Sequence, residues 1–163
     1  MKFIFALHKN LKKAQKILFL DRDGVVIRDT GYPYQKDKVI FEIENILKIK
    51  KLINDGNFDL CGFVTNQSGV ARDIFTEIEF WSFHNMIIEK CISLELSIHF
   101  TAVNFFKNNE YYRKPNNGMI EQAMNFFQIK TENCLFIGDK ETDEAAASKS
   151  KINFIYIQNL VSK

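Results

Sequence analysis

Apolar and polar residues arrive along this chain in blocks of two alternating kinds. Short runs dominated by Ile, Leu, Val, Phe and Cys, at residues 17–20, 58–64, 98–103, 134–137 and 153–157, read as strands buried on both faces. Between them, apolar residues recur at helical spacing. Ile43, Ile46, Leu47, Leu52 and Ile53 mark one helix face, which Gly56 is placed to end. A second helix opens at Thr76-Glu77-Ile78-Glu79, a capping-box pattern with Phe75 and Phe80 at the staple positions. Its stripe continues through Phe83, Ile87, Cys91 and Leu94, and shorter helices follow at 119–127 and near 143–149. This order of strands and helices predicts an α/β fold, a Rossmann-like parallel sheet with helices on both faces. Residues 25–28 and 39–41 flank the turn-rich Asp29-Thr30-Gly31-Tyr32-Pro33, which predicts a small β-hairpin flap. The intervals from Asp23 to Thr65 and from Thr65 to Lys114 are filled by these elements, so no cap domain is expected.

Composition narrows the picture. With 163 residues, 46% hydrophobic and 26% charged, the chain has the size and balance of one domain with a sizeable core. Sixteen phenylalanines predict an aromatic interior. A net charge of +2 is too small to imply a nucleic-acid partner, so any affinity for anions must be local. No stretch approaches the ~20 apolar residues of a membrane span, and no membrane association is expected. The apolar start from Met1 to Leu7 stops at His8 and Lys9, short of the ~7–15 residues of a secretory h-region. Residues 1–16 therefore read as an N-terminal extension of unassigned role, ahead of a single domain at 17–163. Cys61, Cys91 and Cys134 are odd in number, lack CxxC spacing and sit in apolar runs, as buried reduced thiols of a cytoplasmic protein do. A monomer is expected.

Four groups of polar residues follow strands or precede helices. Asp21 and Asp23 stand at the end of the 17–20 run, where a turn can bring both into one pocket. One carboxylate can attack phosphorus, with Mg²⁺ offsetting the repulsion between anions, while the other moves a proton. Asp-x-Asp also occurs in metal-dependent glycosyltransferases and in ordinary turns. Thr65-Asn66-Gln67-Ser68-Gly69 offers hydroxyls, amides and backbone N–H groups to phosphate oxygens, with Thr65 orienting the phosphoryl group, although polar loops after strands are common. Lys114 can neutralise charge near a nucleophile, and the Arg113 fork suits a second anionic or hydroxylated part of a substrate; an exposed basic pair is the plainer alternative. Asp139 is a natural metal ligand, Lys140 can reach a phosphate, and Asp143 can hold Lys114, cap a helix, or both.

Taken together, these elements resemble the haloacid dehalogenase superfamily of aspartate-nucleophile phosphatases over residues 17 to about 157. The resemblance is nearest to the D-glycero-D-manno-heptose 1,7-bisphosphate phosphatases and the histidinol-phosphate phosphatases. It is carried by Asp21-Arg22-Asp23-Gly24, Gly31-Tyr32, the run from Thr65 to Arg72, Arg113-Lys114-Pro115 with Gly118-Met119, and Gly138-Asp139-Lys140 with Asp143. The resemblance implies Asp21 as nucleophile, Asp23 as acid and base, and Mg²⁺ held by Asp21, the Asp23 carbonyl and Asp139. It also implies a small phosphorylated substrate touching Asp29, Thr30, Gly31, Tyr32, Thr65, Asn66, Gln67, Ser68, Arg113, Lys114 and Lys140. A heptose bisphosphate is the expected substrate. The alternatives are histidinol phosphate or another small ester, and, from a different class, a non-catalytic phosphosugar-binding module. Those families usually carry a Cys/His zinc loop before Arg-Lys-Pro, whereas residues 102–112 contain neither Cys nor His, so no zinc is expected there. Phe105, Phe106, Tyr111 and Tyr112 are expected to hold that loop instead, with His84 and His99 as packing residues.

Overall fold

The computed structural model describes residues 3–9, 14–108 and 111–161. Its strands are β1 (Phe3–Leu7), β2 (Ile17–Leu20), β3 (Leu60–Asn66), β4 (Phe100–Asn104), β5 (Cys134–Gly138) and β6 (Asn153–Tyr156). The α-helices are α1 (Ile43–Gly56), α2 (Glu77–Ser93), α3 (Gly118–Phe127) and α4 (Glu141–Lys149). The strands form one sheet in the order β1-β4-β3-β2-β5-β6. β2 to β6 are parallel, but β1 runs antiparallel to β4. The sheet is therefore mixed rather than purely parallel, and Phe3–Leu7 is one of its edge strands.

β2 lies at the centre, and no residue from Ile17 to Leu20 is exposed. Successive side chains on a strand point to opposite faces. Leu18 and Leu20, with Phe63 and Ile137, pack on Ile46 and Ile49 of α1 and on Phe83, Ile87 and Cys91 of α2. Ile17 and Phe19, with Val64 and Phe136, pack on Met119, Ile120 and Ala123 of α3 and on Ala146 and Ala147 of α4. Each such side chain contributes about 1.5–3 kcal/mol relative to exposure, which explains why the central strands carry no alternation.

The helix ends follow local chemistry. Thr76 Oγ1 accepts from the Glu79 N–H at 3.2 Å, and Glu79 Oε2 accepts from the Thr76 N–H at 2.7 Å, completing the capping box of α2. Gly56 is the last residue of α1, but Asn57 takes the left-handed position that stops it (φ 51°). The α1 stripe is Ile46 and Ile49, while Ile43 and Leu47 are exposed. The flap is held by single bridges, Ile27 to Phe41 and Asp23 to Ile27, and by the Arg28 N–H donating to the Ile40 carbonyl at 2.8 Å.

Candidate active site

The chain leaves β2 toward β3 on one side, and β5 lies on the other. This change of direction opens a crevice beyond the carboxyl ends of the strands, where ligands bind in such sheets. The Asp21 N–H donates to the Ile137 carbonyl at 2.9 Å and extends the ladder one residue past Leu20. The backbone then turns at Gly24 (φ +87°), whose N–H donates to the Ile27 carbonyl at 2.7 Å. Asp21 and Asp23 thus come to one cleft of about 420 Å³, whose wall also includes Asn66, Arg113, Lys114 and Lys140.

Lys114 is buried; its Nζ donates to Val64 O at 2.9 Å and forms ion pairs with Asp21 Oδ1 at 3.0 Å and Asp143 Oδ1 at 2.7 Å. Three oxygens thus lie within 3.0 Å of the ammonium. Burial would lower its pKa, but Asp21 and Asp143 raise it, so the ammonium persists. Asp21 Oδ1 also accepts from the Arg22 N–H at 2.7 Å, so both of these contacts fall on Oδ1 rather than Oδ2. Burial pushes the Asp21 carboxyl up to about 7 against the pull of Lys114, with Asp143 and Asp23 adding to the rise. Asp143 fills both roles considered from sequence. Its Oδ2 accepts from the Asp139 and Lys140 N–H groups at 3.2 Å, capping α4, while Oδ1 holds Lys114.

Asp23 is engaged differently. Arg22 Nε donates to its Oδ1 at 2.9 Å and Arg22 NH2 to its Oδ2 at 3.0 Å, while Gln67 Nε2 donates to Oδ2 at 2.6 Å. With both oxygens taken, a contribution of Asp23 to a cation would come from its carbonyl. Gln67 also donates to Thr65 Oγ1 at 2.9 Å. Thr65 and Gln67 are buried and stand behind the cleft wall rather than on it. Gln67 thus links Thr65 to Asp23.

Asp21, Asp139 and Asp143 each offer an oxygen within 4.8 Å of the others. Asp139 Oδ1 is buried without a hydrogen-bond partner, and burial raises the pKa of this carboxyl. A Cβ at Gly24 would lie 2.1 Å from Asp139 Oδ2, so only glycine leaves that oxygen room. An all-oxygen donor set with an unsatisfied carboxylate fits a hard divalent cation such as Mg²⁺.

Asp29, Gly31, Tyr32 and Ser68 lie along the cleft, while Thr30 faces a separate small hollow beside Pro33 and Tyr34. Asp29 and Lys140 form an ion pair across the mouth. Burial and that pair act oppositely on Asp29, and the pair prevails, lowering its pKa. Asn66 fixes the Lys114 backbone from both sides, accepting from its N–H and donating to its carbonyl, each at 3.1 Å. Two residues were given no role from sequence. Thr142 lines the cleft at the start of α4, and Arg22 is fully buried against the rings of Phe80 and Phe83 at 5.3 and 5.4 Å. His84 and His99 are packing residues, as expected. His84 Nε2 lies 2.8 Å from Thr101 Oγ1, and His99, just ahead of β4, accepts from the Cys61 N–H at 3.1 Å.

The model of the polynucleotide kinase 3 phosphatase family matches residues 16–157. The chain belongs to the haloacid dehalogenase superfamily of phosphatases. It is 33% identical over 150 residues to the D-glycero-beta-D-manno-heptose-1,7-bisphosphate 7-phosphatase of Helicobacter pylori, covering 88% of this chain and 85% of that one. It is 30% identical over 147 residues to the D-glycero-alpha-D-manno-heptose-1,7-bisphosphate 7-phosphatase of Photorhabdus laumondii, covering 84% of this chain and 79% of that one. Its fold is that of the D,D-heptose 1,7-bisphosphate phosphatase from B. bronchiseptica, solved with magnesium and phosphate: TM-score 0.77, 22% identity, 86% and 79% coverage. This member of the superfamily is a phosphatase.

Proposed function

We propose that this phosphatase is a Mg²⁺-dependent phosphomonoester hydrolase that works through an aspartyl-phosphate on Asp21, with D-glycero-D-manno-heptose 1,7-bisphosphate as its substrate. The observation that carries the chemistry is Lys114, which grips Asp21 and Asp143 at once beside the unsatisfied Asp139. Asp21 Oδ2 attacks phosphorus and the bond to the sugar oxygen breaks. Asp23, steadied by Arg22 and Gln67, protonates the departing oxygen and then takes a proton from the water that opens the phosphoenzyme. Lys114 balances the charge as it shifts between carboxylate and phosphoryl oxygens. Asp21, Asp139 and the Asp23 carbonyl would hold Mg²⁺, which supplies charge that relieves repulsion between nucleophile and phosphate. The uncapped cleft suits an extended sugar phosphate, and the similarity to heptose bisphosphate 7-phosphatases supports that choice.

Phosphate release from the alpha and beta anomers and from histidinol phosphate, ranked by kcat/KM, tests the substrate. Turnover is expected only with Mg²⁺ and is lost on chelation. Asp21→Asn is expected to lower kcat by at least about 1000-fold with an unchanged unfolding transition. Near-wild-type turnover in that variant would overturn the assignment of the nucleophile.

A further inference from the structure

β1 enters the sheet against the direction of its neighbours, so its first residues, not its last, reach the catalytic edge. Phe3 pairs with Asn104 and Ile4 with Val103. Asn104 is the buried residue from which the chain departs toward Arg113. Its side chain donates to the Phe106 carbonyl at 3.2 Å and accepts from the Phe106 N–H at 3.4 Å. Ile4 packs against the cluster of Phe75, Phe80, Val103 and Phe105. Phe3 lies flat on Tyr112, ring centroids 4.0 Å apart and planes within 6°. Tyr112 immediately precedes Arg113, whose NH1 donates back to the Phe106 carbonyl at 3.4 Å. Both ends of the segment leading to Arg113 therefore rest on β1. Lys114 does not depend on it, being fixed by Asn66, Val64 and Asp143.

We propose that β1 is a specificity strut. Phe3 and Ile4 hold the segment before Arg113 so that its guanidinium faces the part of the substrate remote from the transferred phosphoryl group, and Phe3 and Tyr112 are positioning residues. The inference rests on the reading of Arg113 as a substrate contact, and it separates binding from chemistry because the strut supports Arg113 while Lys114 is clamped independently.

The test compares the full chain with Phe3→Ala, Phe3→Tyr, Tyr112→Ala and Arg113→Ala, each with Mg²⁺. Substrates are the heptose bisphosphate and para-nitrophenyl phosphate, which has nothing to offer Arg113. Amide hydrogen exchange of the segment before Arg113 is read in parallel. Phe3→Ala and Tyr112→Ala are expected to speed that exchange. They should raise KM for the bisphosphate roughly 3- to 10-fold, with kcat within about twofold. KM for the aryl ester should stay unchanged, and Phe3→Tyr should restore both readouts. Unchanged exchange in both Phe3→Ala and Tyr112→Ala overturns the strut, as does an equal loss of kcat on both substrates. If Arg113→Ala leaves KM for the bisphosphate unchanged while exchange still responds, the reading of Arg113 fails and the strut loses its role in specificity.

Discussion

Arg22 stands between Asp21 and Asp23 with no solvent contact, its fork closed on Asp23 and its face on two phenylalanine rings. A buried guanidinium costs several kcal/mol unless paired, and removing one partner of a buried pair leaves the other charge stranded. Arg22→Met is therefore expected to destabilise the protein by about 3 kcal/mol in urea unfolding. Adding Asp23→Asn should recover part of that stability without recovering turnover. Full stability in the single variant would show that the pair does not hold the site together. The two aspartates, Lys114, Asp139 and Asp143 were legible as a constellation because each follows a strand or opens a helix. Arg22 was not. A charge flanked by carboxylates reads as exposed, and the rings that cover it come from α2, far along the chain.

At the scale of elements, α2 shows how a local signal sets a distant contact. Its capping box fixes where the helix begins, and that start places Phe80, Phe83 and His84 on the buried face beside Arg22. Thr76→Ala is expected to cost about 1 kcal/mol by urea denaturation, with kcat/KM within about twofold, since Thr76 touches nothing in the cleft. This cap was readable because its chemistry lies within four consecutive residues. β1 was not readable as part of the sheet. Five apolar residues without alternation, followed by basic ones, say nothing of a partner, and only the register on β4 gives them a place. The helix does end on Gly56 as expected, although Asn57 rather than the glycine takes the left-handed backbone.

Across the whole molecule, three histidines are kept neutral. Burial lowers the pKa of His84 well below its usual value, and its electrostatic interactions with Arg22 and His8 lower it further. Burial also lowers His8 and His99. His8 and His84 both reach Thr101 Oγ1, each at 2.8 Å, joining β1, α2 and β4 through one hydroxyl. Below about pH 6.5 the unfolded chain takes up protons that these rings refuse, so their contribution to stability is complete above that pH and is lost as pH falls toward the folded values. Asp21, raised by burial, acts in the opposite sense, so the informative quantity is a difference between variants. Between pH 6.5 and 5.5, His84→Gln is expected to lessen the fall in unfolding free energy by up to about 1.4 kcal/mol per pH unit. Parallel curves for the two proteins would remove His84 from the account.

The reversed entry of β1 has a practical side. Phe3 pairs with Asn104 at the carboxyl end of β4, so whatever is joined ahead of it, a purification handle or a fluorescent label, starts from the same edge of the sheet as the cleft. Fusions at that end are placed to obstruct entry even when the fold beneath them is untouched.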